Sequence, residues 1–532
     1  MPEQYTVPMA LTRRAFTSLL PAGAAALAAP ARPNLLVILA DDLGFSDIGC
    51  FGGEISTPNL DRLASSGVRF NRFYNCARCC PTRASLLTGL YSHQAGVGHM
   101  IEDRGIPAYQ GYLNDHCVTM AEALKPAGYT TLMSGKWHVG EQKEHWPVRR
   151  GFDHYFGLIS GASNYFRLDP GRRMALDAEP YTPPANDTRS KDGFYMTNAI
   201  ADHAVRMLGE APKQNPLLMY LAFTAPHWPL HALPEDVDRY RGRYMKGWDR
   251  LRQERHERQT EAGIADPRWP LSPRDEGVPA WDTLPAGEKA EWDLRMAVYA
   301  AQVECMDRNI GRVLDQFRAL GRLDNTLVLF MADNGGCAEE NIALERKAAT
   351  PVPGGPDSFT SYRRPWANAS NTPFRLYKQF THEGGISAPL IAAWASGLGG
   401  RARLDATPGH VIDILPTLLD AAGARAPRER QGREVLPLEG RSLLPAMRGG
   451  KAAERAVTGW EHQGHRAVRR GDWKLVSTFG KPWELYDLAA DRTELNDLSG
   501  REPGRVKTLE AEFDRWASRC GVVPWASLQG KR

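Results

Sequence analysis

The chain has 532 residues, 42% of them apolar, and 66 Lys and Arg against 62 Asp and Glu for a formal charge of +4. That length and apolar content can bury one large core and a smaller one. The charge is nearly balanced and the basic residues are scattered, which argues against a nucleic-acid partner. No later window reaches about 18 apolar residues, so no membrane span is expected.

The first feature in chain order is Leu11-Thr12-Arg13-Arg14-Ala15-Phe16, followed by Leu19-Leu20-Pro21-Ala22-Gly23 and an alanine-rich run. It reads as a twin-arginine signal over residues 1–31, cleaved near Ala28 or Ala31, and predicts an exported protein, periplasmic or extracellular. An amphipathic N-terminal helix is the alternative. Leu35-Leu36-Val37-Ile38-Leu39-Ala40 then reads as a strand buried on both faces that ends at Asp41 and Asp42.

Cys79-Cys80-Pro81-Thr82-Arg83 follows. Proline is well tolerated at the first helical position, which would set Cys79 or Cys80 near an N-cap, where backbone N–H groups favour an anion. Arg83 lies one turn past Cys79, within reach of that anion. Cys76, Cys79 and Cys80 could instead form a disulfide or half of a zinc site, but the other cysteines make no second close pair.

Three further strand-like runs also end in polar residues. Tyr129 to Met133 delivers Lys136 and His138, Pro216 to Phe223 delivers His227, and Leu327 to Ala332 delivers Asp333 and Asn334. Ligands of open α/β sheets bind outside the carboxyl ends of strands, so these four ends predict one shared crevice. His93, His99, His231 and His382 flank these runs without partner spacing and read as packing or loop residues. A helix is expected from Met296 to Leu320.

A boundary near Gly449-Gly450-Lys451 separates residues 32–450 from a tail over 451–532. Four short antiparallel strands are expected there, at Ala456 to Trp460, Arg466 to Arg469, Trp473 to Ser477 and Trp483 to Asp487. Val506, Leu509, Phe513 and Trp516 lie on one helical face that would cover them.

Cys79-x-Pro81-Thr82-Arg83 with Leu87-Thr88-Gly89 resembles the sulfatase signature, whose cysteine is oxidised enzymatically to formylglycine. Only Cys79 has proline at +2 and arginine at +4. Further blocks are similar and in sulfatase order: Asp41-Asp42-Leu43-Gly44, Thr57 to Ala64, Gly135-Lys136-Trp137-His138, Pro226-His227-Trp228-Pro229, Asp333-Asn334-Gly335-Gly336, and Asn371 to Arg375 with Lys378. The spacer Gly247 to Asp282 and the tail blocks at Trp473 and Trp483 resemble bacterial arylsulfatases. The resemblance implies an alkaline phosphatase-like α/β fold, a large mixed sheet sandwiched by helices, with a smaller C-terminal antiparallel sheet plus helix.

It also implies hydrolysis of sulfate esters, whether aryl or carbohydrate sulfates, and a formylglycine-generating maturation enzyme as partner. Asp41, Asp42, Asp333 and Asn334, with Cys79 once converted, would hold one metal. Their oxygen-only character suits calcium, magnesium next, and not zinc or copper. By the same resemblance Arg83, Lys136 and Lys378 would neutralise the sulfuryl oxygens, His227 or Lys378 would protonate the departing alcohol, and His138 would take a proton from the formylglycine hydrate. A phosphonate or phosphate ester hydrolase on the same scaffold is the alternative, as is a non-catalytic binding protein if Cys79 is not converted. Substrate-selecting loops are expected within residues 165–195 and 235–290.

Overall fold

The computed structural model describes residues 32–184 and 193–529; the proposed signal over residues 1–31 lies outside them. Asn34–Ala40, Thr130–Gly135, Leu217–Ala222 and Thr326–Ala332 are strands buried at every residue. Continuous apolar runs of this kind leave no face for water, so they pair side by side in the middle of a sheet.

They do so as neighbours. The central order is Thr326–Ala332, Asn34–Ala40, Leu217–Ala222, Thr130–Gly135, all parallel, within an 11-stranded sheet. Ser387–Ala393 then joins antiparallel, Val68–Tyr74 pairs antiparallel with it, and short strands extend both edges. The sheet is therefore mixed, as expected, and the four polar ends emerge along one edge.

The expected helix from Met296 begins ten residues earlier and runs Ala286–Ala319. Its first turns carry Glu288, Lys289 and Glu291, good helix formers without an apolar stripe, so periodicity could not register them. The segment 235–290, expected to hold loops, contains a 15-residue helix, Gly247–Glu261. Trp248 there is fully buried and meets Trp281, Trp292 and Trp366 edge-on at 4.8, 5.6 and 5.4 Å. This part of the spacer is packed core.

The tail forms the antiparallel sheet Thr458–His462, His465–Arg470, Trp473–Ser477, Glu484–Asp487. The helix Pro503–Cys520 covers it with Leu509, Phe513 and Trp516 against Val468, Leu475 and Leu485. Buried ion pairs tie this sheet to the large one. Lys474 reaches Glu383 Oε1 at 2.9 Å, and Arg492 reaches Glu383 Oε2 at 3.0 Å.

Candidate active site

Each central strand ends in a backbone device that turns a polar side chain into the crevice. The Asp41 amide donates to Ala225 O at 3.0 Å and the Asp333 amide to Ala40 O at 3.1 Å, so hydrogen bonding continues past the strands. Asp42 and His138 then adopt φ of 64° and 58°, a left-handed conformation that non-glycine residues seldom take and that gathers at functional sites. Gly135 must be glycine, since a Cβ would lie 1.8 Å from Ala222 O.

The cysteine helix starts earlier than expected. It spans Cys79–Thr88 with Arg78 at the N-cap, so Cys79 occupies the first helical position and Pro81 the third. Ala77, at φ 60°, turns the chain just before the helix. Cys79 thus stands where backbone N–H groups have no intrahelical acceptor. Thr82 Oγ1 accepts from the Cys76 amide at 3.0 Å and donates to Asp333 O at 2.6 Å, fastening the helix start to the strand end.

Two clusters meet there. The Asp41 and Asp42 oxygens and a His227 nitrogen lie within 4.8 Å of one another, and so do Cys79 Sγ, Cys80 Sγ and a His138 nitrogen. Lys136 Nζ donates to Asp41 Oδ2 at 2.5 Å, and Lys378 Nζ to Asp42 Oδ2 at 2.9 Å. Asn334 Nδ2 donates to Asp42 Oδ1 at 2.7 Å, and the Asp42 amide to Asp333 Oδ1 at 3.2 Å. Arg83, fully buried, donates from Nε and Nη2 to Asp333 Oδ2 at 3.2 and 2.8 Å and from Nη1 to Lys136 O at 2.9 Å. Its guanidinium braces the carboxylates, where the sequence reading had placed it on the oxyanion.

Two oxygens in this crowd have no hydrogen-bond partner although buried: Asp41 Oδ1 and Asn334 Oδ1. Orphaned buried acceptors call for an explanation, and a hard cation supplies one. Asp41, Asp42, Asp333 and Asn334 offer oxygen alone.

The electrostatics separate the groups by role. Burial raises the Asp333 carboxyl well above its ordinary value, and the neighbouring Asp41 charge adds to this. Burial would raise Asp41 too, but Lys136, His227 and Arg83 outweigh it and hold that carboxyl low. The Cys79 thiol is well below its usual range, first through a hydrogen bond from Cys80, then through Lys136 and His138 against the burial cost. Burial keeps His138 and His227 below the ordinary imidazole value. Burial opposes the charge on Lys378, yet Asp42, Cys337 and Glu339 hold the ammonium in place.

His227 Nδ1 lies 2.5 Å from Trp228 O, which can only accept, so Nδ1 carries the proton. Nε2 then faces Lys378 Nζ at 3.4 Å as an acceptor.

Sequence reasoning set Cys80 aside and missed Glu339. Cys80, dropped because proline does not stand two residues after it, places Sγ 3.3 Å from His138 Nε2. Glu339 takes a hydrogen bond from Arg78 at 2.6 Å, another from Trp228 Nε1 at 3.0 Å and another from Gln379 at 2.9 Å, and lies 3.5 Å from Lys378. It belongs to a loop with no periodic pattern, so nothing local marked it. All eight cysteines are free, and Cys76 turns its thiol to Ser85 Oγ at 3.4 Å. His93 pairs with Glu461 at 2.9 Å, His231 with Ser358 O at 2.8 Å and His382 with Glu484 at 3.4 Å, while His99 packs on Trp525.

Comparison with known proteins accords with this geometry. The Sulfatase family model matches residues 33–424, and that of the C-terminal part of N-sulphoglucosamine sulphohydrolase matches residues 374–514. An uncharacterized sulfatase of Schizosaccharomyces pombe is 39% identical over 92% of this chain and 94% of its own. The arylsulfatase of Klebsiella aerogenes is 36% identical over 81% of this chain and 95% of its own. The crystal structure of Ps i-CgsB with k-i-k-neocarrahexaose superposes with a TM-score of 0.65 at 25% identity, over 91% of this chain and 93% of that one. No helix among the described residues is long and apolar enough to cross a membrane. The chain belongs to the sulfatase family, within the alkaline phosphatase superfamily, and is a sulfuric ester hydrolase.

Proposed function

We propose that this sulfatase acts through Cys79 converted to formylglycine, beside one calcium ion held by Asp41, Asp42, Asp333 and Asn334. The observation that carries the reading is the placement of Cys79, first residue of its helix, against four oxygen donors, two of which, Asp41 Oδ1 and Asn334 Oδ1, are orphaned acceptors. A bound divalent cation there supplies Lewis-acid polarisation and cancels sulfate charge. Formylglycine supplies, as its hydrate, a hydroxyl nucleophile with a second hydroxyl for release.

The chain's own residues do the rest. Lys136 and Lys378, both buried, bring fixed positive charge to the sulfuryl oxygens, preorganised by Asp41 and Asp42. Arg83 keeps Asp333 and Asp41 oriented. Between the two candidate acids the hydrogen bonding favours Lys378: its Nζ holds protons, whereas His227 Nε2 accepts. Lys378 gives a proton to the departing alcohol oxygen, and His227 Nε2 relays the replacement. His138, neutral near pH 7, accepts a proton when sulfate leaves.

The same reading assigns residues 1–31 to twin-arginine export, 32–450 to the catalytic domain and 451–532 to a small α+β subdomain. The test is hydrolysis of 4-nitrophenyl sulfate by protein co-expressed with a formylglycine-generating enzyme, with peptide mass analysis at residue 79. Turnover lost in Cys79→Ala and after chelation, and regained with calcium, is the expected result. A matured protein inactive on sulfate esters that cleaves a phosphate or phosphonate ester overturns the sulfate assignment.

A further inference from the structure

Among the described residues two groups of side chains are close enough to share an ion. One includes Asp41 and Asp42, from the oxygen donors already described. The other has the opposite chemistry: Cys79 Sγ, Cys80 Sγ and a nitrogen of His138, all buried, with ligand atoms within 4.8 Å of one another. Oxygen donors hold hard cations, whereas two sulfurs and an imidazole suit a softer one, zinc above all.

The spacing fits. With Zn–S of about 2.3 Å and Zn–N of about 2.0 Å, a sulfur and a nitrogen on one tetrahedral zinc lie about 3.5 Å apart. Cys80 Sγ lies 3.3 Å from His138 Nε2 and 3.4 Å from Nδ1. Consecutive helical side chains ordinarily diverge, yet at this helix start the Cys79 and Cys80 sulfurs stay within 4.8 Å. Met100 Sδ, a further soft donor, lies 3.8 Å from Cys80 Sγ. Cys76, the partner that sequence spacing offered, turns away to Ser85 Oγ and takes no part.

Charge does not oppose an ion there. The crevice cations Lys136 and Arg83 are each paired with a carboxylate, Asp41 and Asp333, and two thiolates cancel the zinc charge. Cys79 is 2% and His138 4% exposed, the opening through which an ion enters.

We propose that the chain, before conversion of Cys79, carries a zinc site made of Cys79, Cys80 and His138, with one coordination position left to water. On binding, each thiol gives its proton to the buffer and each sulfur donates an electron pair to the ion, so the step needs no oxidant or reductant. Conversion abolishes the site, because the Cys79 sulfur is lost and only Cys80 and His138 remain. The crevice then changes the class of ion it holds, from soft to hard. That consequence rests on the formylglycine reading; the site itself does not, and in a chain never converted it is permanent.

The test uses full-length protein made without a formylglycine-generating enzyme, with peptide mass analysis confirming the thiol at residue 79. It is titrated calorimetrically with Zn2+ in two buffers of different ionisation heat, and with Co2+ followed by absorption. Expected are one zinc per chain, two protons released, and thiolate-to-cobalt charge-transfer bands beside the visible bands of a tetrahedral ion. Cys79→Ser and Cys80→Ser should each weaken zinc binding on the order of a hundredfold or more, since each removes a ligand. Cys76→Ser should leave it unchanged. Fully converted protein should lose most of the charge-transfer intensity. Absence of zinc binding by the unconverted chain, or a cobalt spectrum without thiolate bands, overturns the site whatever the variants do. Zinc affinity unchanged in Cys80→Ser also overturns it and leaves the oxygen donors as the binding groups. Neither readout needs turnover, so a converted protein inactive on sulfate esters would sink the sulfatase reading and leave this test intact.

Discussion

Two of the buried charge clusters among the described residues are finished differently. Around Glu383 both carboxylate oxygens are taken: Oε1 by Lys474 at 2.9 Å, and Oε2 by Ser387, Arg492 and Tyr74 at 2.8, 3.0 and 3.1 Å. Around Asp41 one oxygen is crowded by Lys136 and Arg83 while Oδ1 has no partner, and Asn334 Oδ1 is likewise bare. The first cluster is paired throughout, with Glu494 Oε1 in an ion pair to Lys474 Nζ at 2.8 Å, and joins two sheets. The second carries strained backbone at Asp42 and His138 and leaves acceptors open, the signature of groups arranged for something not part of the chain.

Removing one residue from each cluster should separate the two most strongly. Cys79→Ala should lower kcat/KM for a sulfate ester on the order of 10⁴-fold or more, with the melting temperature nearly unchanged. Lys474→Met should do the reverse. Activity per folded molecule stays, but stability falls by about 3–5 kcal/mol in a denaturant titration, because Glu383 and Glu494 are left buried without their cation. If Lys474→Met costs nothing, the Glu383 cluster is not what joins the sheets.

Acid should expose the completed cluster next. Burial alone would raise Glu383, yet Lys474 and Arg492 hold it at about 2 against 4.5. A carboxyl depressed on folding contributes stability above its unfolded value and loses it as pH falls. The unfolding free energy should therefore drop on the order of 3 kcal/mol between pH 5 and pH 2 from this group. The matching measurement on Lys474→Met should show a flatter dependence.

Calcium should act on the unfinished cluster only. A saturating addition should raise the melting temperature of wild-type protein by a stabilisation of about 2.7 kcal/mol at one hundred times Kd. The response should vanish in Asn334→Ala and persist in Lys474→Met. The smallest effect expected is on the pH profile. Burial holds His138 below 6.5, so it is the neutral base at pH 7, and kcat should fall tenfold per unit only below the ordinary imidazole range. His138→Gln should remove that limb.

Much of this was legible one segment at a time. Runs such as Leu35 to Ala40 and Leu327 to Ala332 announce buried strands because nothing in them tolerates water, and the polar residues that end them are conspicuous by contrast. The Cys79 motif stood out because a thiol, a proline and an arginine recur there in one fixed register. Glu339 was not legible, since neither spacing nor periodicity distinguishes it, and Cys80 was weighed at the helix start but given no role. They matter only through Lys378 and His138, which lie 39 and 58 residues away in sequence. The cysteine helix begins two residues before Pro81, after a turn at Ala77 of positive φ whose amide donates to Asn75 Oδ1 at 2.9 Å, a tertiary feature that the proline rule does not register.

Taken alone, the sequence determined most of the composition of the crevice: its acids, its amide, Lys136 and its imidazoles each follow a buried strand, and Cys79 opens a helix, while Lys378 came only with the family resemblance. Local patterning carries that information because burial and chain direction are written into neighbouring residues. Only the tertiary structure decided who meets whom. It brought Arg83 onto Asp333 rather than into the open crevice and left Asp41 Oδ1 without a partner. Those outcomes depend on distances across the sheets between residues hundreds of positions apart, fixed by strand order and close packing.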